Sequence, residues 1–383
     1  MTKRNPFTPA FGGPPRVFFG RARELALVRA AMENDASPHK ALFITGNRGC
    51  GKTTLLEKIS QEASRAHWMT LDVHSSHAVQ TIIELLAGGT QKTTTREARP
   101  SAMGVSAGGI SSSATSTYSN ASLAILLADA CRSLVRQRGI LITIDEIQKV
   151  PENDAEDISA AVQLALRKGL PVMLVLAGLP GAKEQVAGYP GCTFMRRAYD
   201  MQIGSLEVDE TLEAFRKTVG LVDGLDVGDD ALWEMGLFSQ GYPYLMQLIG
   251  YYLVERTLAI SAGGTLRLGS DDVRSVEAVA LEDYRANVLE PILGSLPPTL
   301  SCYLRAMGEA VGVSGRASTG DVARLLGKQP RQVSSYRQRL LEKRLIEKDG
   351  HGYARFLLPH IPDYYADPRE SVPRDPRQQW NRQ

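Results

Sequence analysis

Gly46-Asn47-Arg48-Gly49-Cys50-Gly51-Lys52-Thr53 fits the pattern G-x-x-x-x-G-K-[ST] at every constrained position. The apolar run Ala41 to Thr45 precedes it, and a stretch that reads as a helix, Lys52 to Ala66, follows. Strand, glycine-rich loop, helix is the context in which this pattern binds phosphate. Glycines let the backbone curl until its N–H groups converge on phosphate oxygens. The helix N-terminus adds the positive end of its dipole. Lys52 brings charge to the β- and γ-phosphates, and Thr53 offers a hydroxyl to Mg²⁺. Thr54, next in the chain, is expected to join this cradle. Cys50 reads as a small spacer in the loop, with a thiol redox switch as the alternative.

Downstream, Leu141-Ile142-Thr143-Ile144 is an apolar strand that ends in Asp145-Glu146. Such a strand end puts two carboxylates beside the phosphates. Asp145 is expected in the Mg²⁺ shell, and Glu146 to orient or deprotonate the attacking water. A small-molecule P-loop kinase has no need of this pair, so the pair favours hydrolysis. The alternative is an acidic strand end that faces solvent.

Around these motifs strands alternate with helices. Arg21 to Met32, Ala78 to Ala87, Ala121 to Gln137 and Asp157 to Arg167 read as helices. Trp68 to Val73 and Pro171 to Ala177 read as strands. Near-continuous apolar strands between helices predict a parallel sheet covered on both faces. Residues 1–40 precede this core, which is expected over 41–204. Within it, fifteen of the twenty residues 101–120 are Ser, Ala, Gly or Thr, so 88–120 is expected as a flexible insertion or small hairpin. From Leu206 the pattern turns helical, which predicts an α-helical domain over 205–290. A Pro-rich break, Pro291 to Pro298, opens a third unit expected over 291–362. The Pro/Arg/Gln-rich tail, 363–383, is expected to be disordered.

That third unit reads as helix, turn, helix and hairpin. Thr319 to Leu326 and Gln332 to Lys343 are the helices, and Asp349-Gly350-His351-Gly352 is the hairpin turn. The pattern looks like a winged helix. Residues 297–349 hold ten basic and five acidic residues, a net of +5, on a chain whose net charge is +2. A basic module on a slightly acidic body points to a polyanion, here double-stranded DNA. With the second helix in a major groove, Arg331, Gln332, Ser335, Arg337 and Arg339 are the candidate contacts, and His351 and Arg355 would reach the backbone. A solvated face, or a module that binds protein, is the alternative.

Composition excludes other classes. At 43% hydrophobic and 22% charged residues, wholesale disorder and fibrous repeats are out. No run of about 18 apolar residues occurs, so no membrane span is expected. The first 15 residues hold Lys3 and Arg4 but no apolar core of a secretory signal, which predicts a cytoplasmic protein. Cys50, Cys131, Cys192 and Cys302 lack metal-ligand spacing and are expected as reduced thiols.

Four pieces in order carry a family resemblance: Val17-Phe18-Phe19-Gly20-Arg21-Ala22-Arg23-Glu24-Leu25, the phosphate loop, Asp145-Glu146, and Gly241-Tyr242-Pro243-Tyr244. Together they resemble AAA+ ATPases of the origin-recognition type and the related STAND signalling ATPases. The resemblance implies an α/β P-loop core with an α-helical lid and a C-terminal winged helix, using ATP and Mg²⁺. It implies that Phe18, Phe19 and Arg21 line the adenine pocket and that Pro243 closes over the base. It also implies that Arg197, or failing that Arg196, reaches a neighbouring subunit's nucleotide in an ATP-bound homo-oligomer, where such an arginine speeds phosphoryl transfer about 10³–10⁵-fold. Two departures stand out. Ala177-Gly178-Leu179-Pro180 has no polar γ-phosphate sensor, and no arginine lies near Pro243. Both imply slow hydrolysis or a nucleotide-state switch. A DNA-assembling ATPase is the first reading, and a STAND-like switch acting on a protein partner the second.

Overall fold

The computed structural model describes residues 5–10, 15–73, 76–91, 120–260, 266–312 and 315–366. Residues 92–119 of the expected insertion and 367–383 of the expected tail lie outside these. In chain order the first part holds α1 (Ala22–Glu33), β1 (Ala41–Thr45), α2 (Lys52–Arg65), β2 (Trp68–Val73), α3 (Ala78–Gln91), α4 (Asn120–Arg132), β3 (Gly139–Ile144), α5 (Glu152–Arg167), β4 (Val172–Gly178), α6 (Ala182–Gly188) and β5 (Tyr199–Gln202). The five strands form one sheet in the order β2-β3-β4-β1-β5. β2, β3, β4 and β1 pair in parallel. Every residue of β1, β3 and β4 is buried, which is why these strands read as unbroken apolar runs. Phe43, Ile142 and Leu174 pack in one core with Ile82, Leu127, Ile158 and Val162. Burying a side chain of this size contributes about 1.5–3 kcal/mol.

β1 and β3 run in one direction and end at the sheet's carboxyl edge. The residue after β1 is Gly46, and those after β3 are Asp145 and Glu146. In open α/β sheets ligands bind outside that edge. One expected helix is shorter than read. α4 stops at Arg132 rather than Gln137, and at its end the Ser133 N–H and hydroxyl both close on the Asp129 carbonyl.

By its internal contacts the chain divides into two compact units. One is Arg23–Thr45 with Leu55–Met201, the sheet just described. The other gathers Met1–Ala22, Gly46–Thr54 and Gln202–Gln383. Its elements are α7 (Val208–Val219), β6 (Leu225–Val227), α8 (Asp229–Ser239), α9 (Pro243–Ile260), β7 (Leu266–Leu268), α10 (Ser270–Tyr284), a π-helical turn (Arg285–Leu289), α11 (Glu290–Leu293), α12 (Pro298–Ala310), β8 (Arg316–Ser318), α13 (Thr319–Leu325), α14 (Pro330–Glu342), β9 (Ile346–Lys348), β10 (Tyr353–Phe356) and α15 (Ile361–Tyr365). The expected helical region is present, with β6 and β7 added as a short parallel ribbon.

In the same unit the segment 5–10 is anchored on α9. Phe7 is buried so close to Gly250 that any Cβ there would strike its ring, and the Asn5 amide donates to the Tyr251 carbonyl at 3.0 Å. Further on, β8, β10 and β9 form a three-stranded antiparallel sheet beside α13 and α14. Ser318 caps α13 by accepting from the Asp321 N–H at 3.0 Å. Pro330 occupies the first turn of α14, where its missing N–H costs nothing. α14 buries Val333 and Leu340. Two helices backed by a small antiparallel sheet are compatible with a winged helix.

Candidate functional site: a phosphate loop and an acidic strand end

The loop's shape follows from its glycines. Gly49 and Gly51 have φ of +86° and +90°, a region that side chains rarely adopt. A Cβ on Gly49 would also come within 2.9 Å of the Tyr244 Cβ, whereas one on Gly51 would meet nothing within 4 Å. Lys52 is only 6% exposed. Its ammonium donates to the carbonyls of Gly46 at 3.0 Å and Asn47 at 2.9 Å, so the buried charge is held by backbone dipoles. Thr53 is exposed and Thr54 half-buried. Cys50 is buried inside the loop, as a spacer requires. The other buried thiols are poor nucleophiles, since burial pushes Cys131 and Cys192 up to about 11.

The flanking boxes fasten the loop within the same unit. The buried Tyr242 hydroxyl donates to the Arg48 carbonyl, and the Tyr244 N–H donates to the Gly49 carbonyl at 3.1 Å. A carbonyl engaged this way is not turned toward an anion, which needs donors. Burial pushes the Tyr242 phenol well above its ordinary pKa, so it stays a donor. Arg21 donates to the Cys50 carbonyl at 3.3 Å and to the Gly204 carbonyl. Phe18 and Phe19 are half-buried, and the Lys217 ammonium lies 5.4 Å from the centre of the Phe19 ring. Pro243 is half-buried and opens α9. Left-handed glycines, a buried ammonium and a helix start fit a phosphate chain.

In the other unit, Asp145 accepts from the Glu146 N–H at 2.8 Å. Glu146 has φ +52°, a strained backbone for a residue with a side chain, of the kind that clusters at active sites. Its carboxylate accepts from the Gln148 amide at 2.7 Å and lies 3.3 Å from the Lys149 ammonium. The Gln148 carbonyl oxygen accepts from the Leu179 N–H at 3.3 Å, just past β4. A Cβ on Gly178 would fall 2.8 Å from that oxygen. Gln148 thus supplies a polar amide where the end of β4 has none. Sequence reading missed it, although its position two residues after Glu146 was a signal. Glu57 on α2 was missed too. Its carboxyl is raised by burial and by the Asp145 and Asp72 carboxylates. Asp72 accepts from Ser60 and Thr143 hydroxyls at 2.5 and 2.6 Å. Arg196 and Arg197 are exposed at the end of the 3₁₀ segment Pro190–Arg197, and Arg196 donates to the Ala187 carbonyl at 3.1 Å.

The candidate DNA contacts divide. Arg331, Gln332, Ser335, Arg339 and His351 are exposed. Arg337 is half-buried and donates to the Tyr353 carbonyl at 2.9 Å, which ties α14 to the hairpin. Arg355 is paired with Glu347 across β10 and β9.

A parallel sheet whose first strand runs into a glycine-rich phosphate loop, with a carboxylate pair at the end of β3, defines a P-loop nucleotide-binding protein. Residues 17–175 match the AAA ATPase domain family, and residues 286–365 match a domain of unknown function (DUF8462). None of the curated proteins matches the sequence. Among solved structures, the chain is similar to the ORC2 protein of Aeropyrum pernix in its ADPNP–ADP complexes, with TM-score 0.57 and 17% identity over 93% of this chain and 96% of that one. It is also similar to CDC6P from Pyrobaculum aerophilum, with TM-score 0.50 and 15% identity over 93% of this chain and 95% of that one. Residues 17–175 therefore form an AAA ATPase domain, and the chain shares its fold with these two proteins. Among the described residues no helix is long and apolar enough to cross a membrane.

Proposed function

We propose that ATP bound at Gly46–Thr54 controls the binding of duplex DNA by the C-terminal module, with slow hydrolysis as the reset. One observation carries the reading. The Asn47 side chain, inside the phosphate loop, donates at 2.7 Å to the carbonyl of Arg344, just past α14. A loop whose conformation answers to phosphate is thereby bonded to the end of the helix that presents Arg331, Gln332, Ser335 and Arg339 to solvent. In this reading the core is 41–204, the helical lid 205–290 and the winged helix 291–362. Lys52 and the loop amides hold phosphate. Mg²⁺ takes few protein oxygens and leans on phosphate, so Thr53 and Asp145 suffice as its protein partners. Glu146 orients water, and Arg197 acts on a neighbouring subunit when ATP drives assembly.

Binding to a fluorescent duplex, measured against salt for wild type and Lys52→Ala with particle mass read in parallel, tests this. Log affinity is expected to fall with log salt by about 0.9 per neutralised phosphate, and only with ATP and an intact Lys52. The bond from Asn47 also supports a second reading, in which the module is held closed and the output is a protein partner. No DNA binding at low salt, together with a nucleotide-dependent mass change, overturns the first reading in favour of the second.

A further inference from the structure

Three observations converge on Arg344. Its backbone has φ +55° in the turn that follows α14. Glycine is the usual residue where a helix ends in this left-handed conformation, and a side chain there bears strain. Its carbonyl accepts the 2.7 Å bond from Asn47, so its backbone lies against the phosphate loop. Its guanidinium has no hydrogen-bond or ion-pair partner among the described residues, although the residue is half-buried. Arg337 is engaged on the Tyr353 carbonyl, Arg355 on Glu347 and Arg324 on Asp321 at 2.8 Å, while Arg331 and Arg339 stand in solvent on α14, away from the bond to Asn47. An arginine without an anionic partner, its backbone bonded to a loop shaped for phosphates, leaves its guanidinium uncommitted next to a site for anions. No arginine near Pro243 is available to supply charge to a nucleotide from the lid.

We propose that Arg344 reads the terminal phosphate of bound ATP. The guanidinium donates to γ-phosphate oxygens, a geometry its planar fork suits better than an ammonium does. ADP lacks that phosphate and forfeits the contact. Arg344 belongs to the C-terminal module, so the module itself then binds ATP-loaded and ADP-loaded loops with different strength. Such a difference is what any nucleotide-driven change of state requires. The inference rests on the reading that Gly46–Thr54 holds ATP.

Arg344→Gly is the decisive variant, because glycine accepts the left-handed backbone and keeps the turn. ATP and ADP affinities are read separately, by displacement of a fluorescent ADP analogue under non-hydrolysing conditions. The variant is expected to lose about ten- to a hundredfold in ATP affinity, the worth of one charge-assisted hydrogen bond, and no more than about twofold for ADP. Arg344→Lys, a point charge without the fork, is expected to recover part of the preference. The rate of tryptic cleavage within 315–366 gives a second readout. It is expected to differ between ATP and ADP in wild type and to become equal in Arg344→Gly. Equal losses for both nucleotides, or an unchanged ATP-to-ADP ratio, overturn the role of Arg344 alone. Wild type that binds neither nucleotide overturns the reading of the loop and this inference with it.

Discussion

Lys52 in the phosphate loop is buried, and two loop carbonyls hold its ammonium. On α14, Arg331 and Arg339 stand in solvent, while Arg337 folds back onto the Tyr353 carbonyl. Each region carries a pattern that points to an anionic ligand. In the loop the pattern constrains backbone: glycines where φ is positive, a lysine one residue past the turn, a helix start. Backbone requirements leave few alternatives, so the motif reads directly as geometry. On the helix the pattern constrains only which residues point outward. A long arginine then chooses among water, a ligand and a neighbouring carbonyl, and spacing does not decide that choice. The same count of positive charges therefore means different things in the two places.

The strongest way to break this comparison is at Lys52. Lys52→Ala is expected to weaken ATP binding by about a hundredfold or more, since it deletes the ammonium that the phosphate-loop pattern requires. Glu146→Gln is expected to keep ATP affinity while phosphate release drops by about 10²–10⁴. Equilibrium binding and a phosphate-release assay on both variants separate the roles. A Lys52→Ala protein that turns over ATP at the wild-type rate would remove the loop from the mechanism.

A smaller effect is expected from the loop's two left-handed glycines. Gly49→Ala meets both an unfavourable φ and the Tyr244 Cβ at 2.9 Å, while Gly51→Ala meets only the φ. The first is expected to cost about 2–3 kcal/mol and the second about 1 kcal/mol. Thermal melts without nucleotide check the order. Equal losses would mean that the approach of Tyr244 to Gly49 adds no constraint.

On α14 the expected changes are smaller again and of two kinds. Arg331→Ala and Arg339→Ala should each reduce the salt slope of DNA binding by about 0.9 and leave the melting temperature alone. Arg337→Ala should lower stability by about 1 kcal/mol, the worth of a hydrogen bond, with little change in slope. A variant of Arg337 that loses a full unit of slope would put that residue in the DNA interface.

What could be read in the chain before its structure follows the same division. β1, β3 and β4 were legible because burial on both faces leaves them almost wholly apolar, with only Thr45 and Thr143 as polar residues, each satisfied by an aspartate. β5 was not, because Tyr199-Asp200-Met201-Gln202 is an edge strand with exposed residues, whose pairing rests on β1 and on the bond from Thr45 to Asp200 at 2.6 Å. β8 is three residues long and carries no periodicity to find. In the site, the loop and the Asp145-Glu146 pair were visible as motifs. Gln148 was not, since its place as a polar amide depends on its bond to the Leu179 N–H just past β4, 31 residues further along the chain. Phe7 likewise shows its purpose only against Gly250.

Glu57 tests the acidic half in the same spirit, with the smallest expected effect. Burial raises its carboxyl, and so do the neighbouring carboxylates of Asp145 and Asp72. The folded protein therefore holds this proton more tightly than the unfolded chain does. The resulting stability is present below the ordinary carboxylate range and is lost as pH rises through the raised folded value. At neutral pH the ionised Glu57 opposes its two neighbours, and Glu57→Gln removes the opposition. The variant is expected to melt up to about 2 °C higher than wild type near neutrality. That gain should vanish as pH falls through the carboxylate range, where wild-type Glu57 is itself neutral. A Mg²⁺ ion held at Asp145 would offset the same repulsion, so adding Mg²⁺ and ATP should shrink the neutral-pH gain as acid does. Melts of both proteins across pH, with and without Mg²⁺ and ATP, check both dependences. A gain that ignores pH would trace to packing. A gain that follows pH but ignores Mg²⁺ and ATP would take Asp145 out of the metal shell.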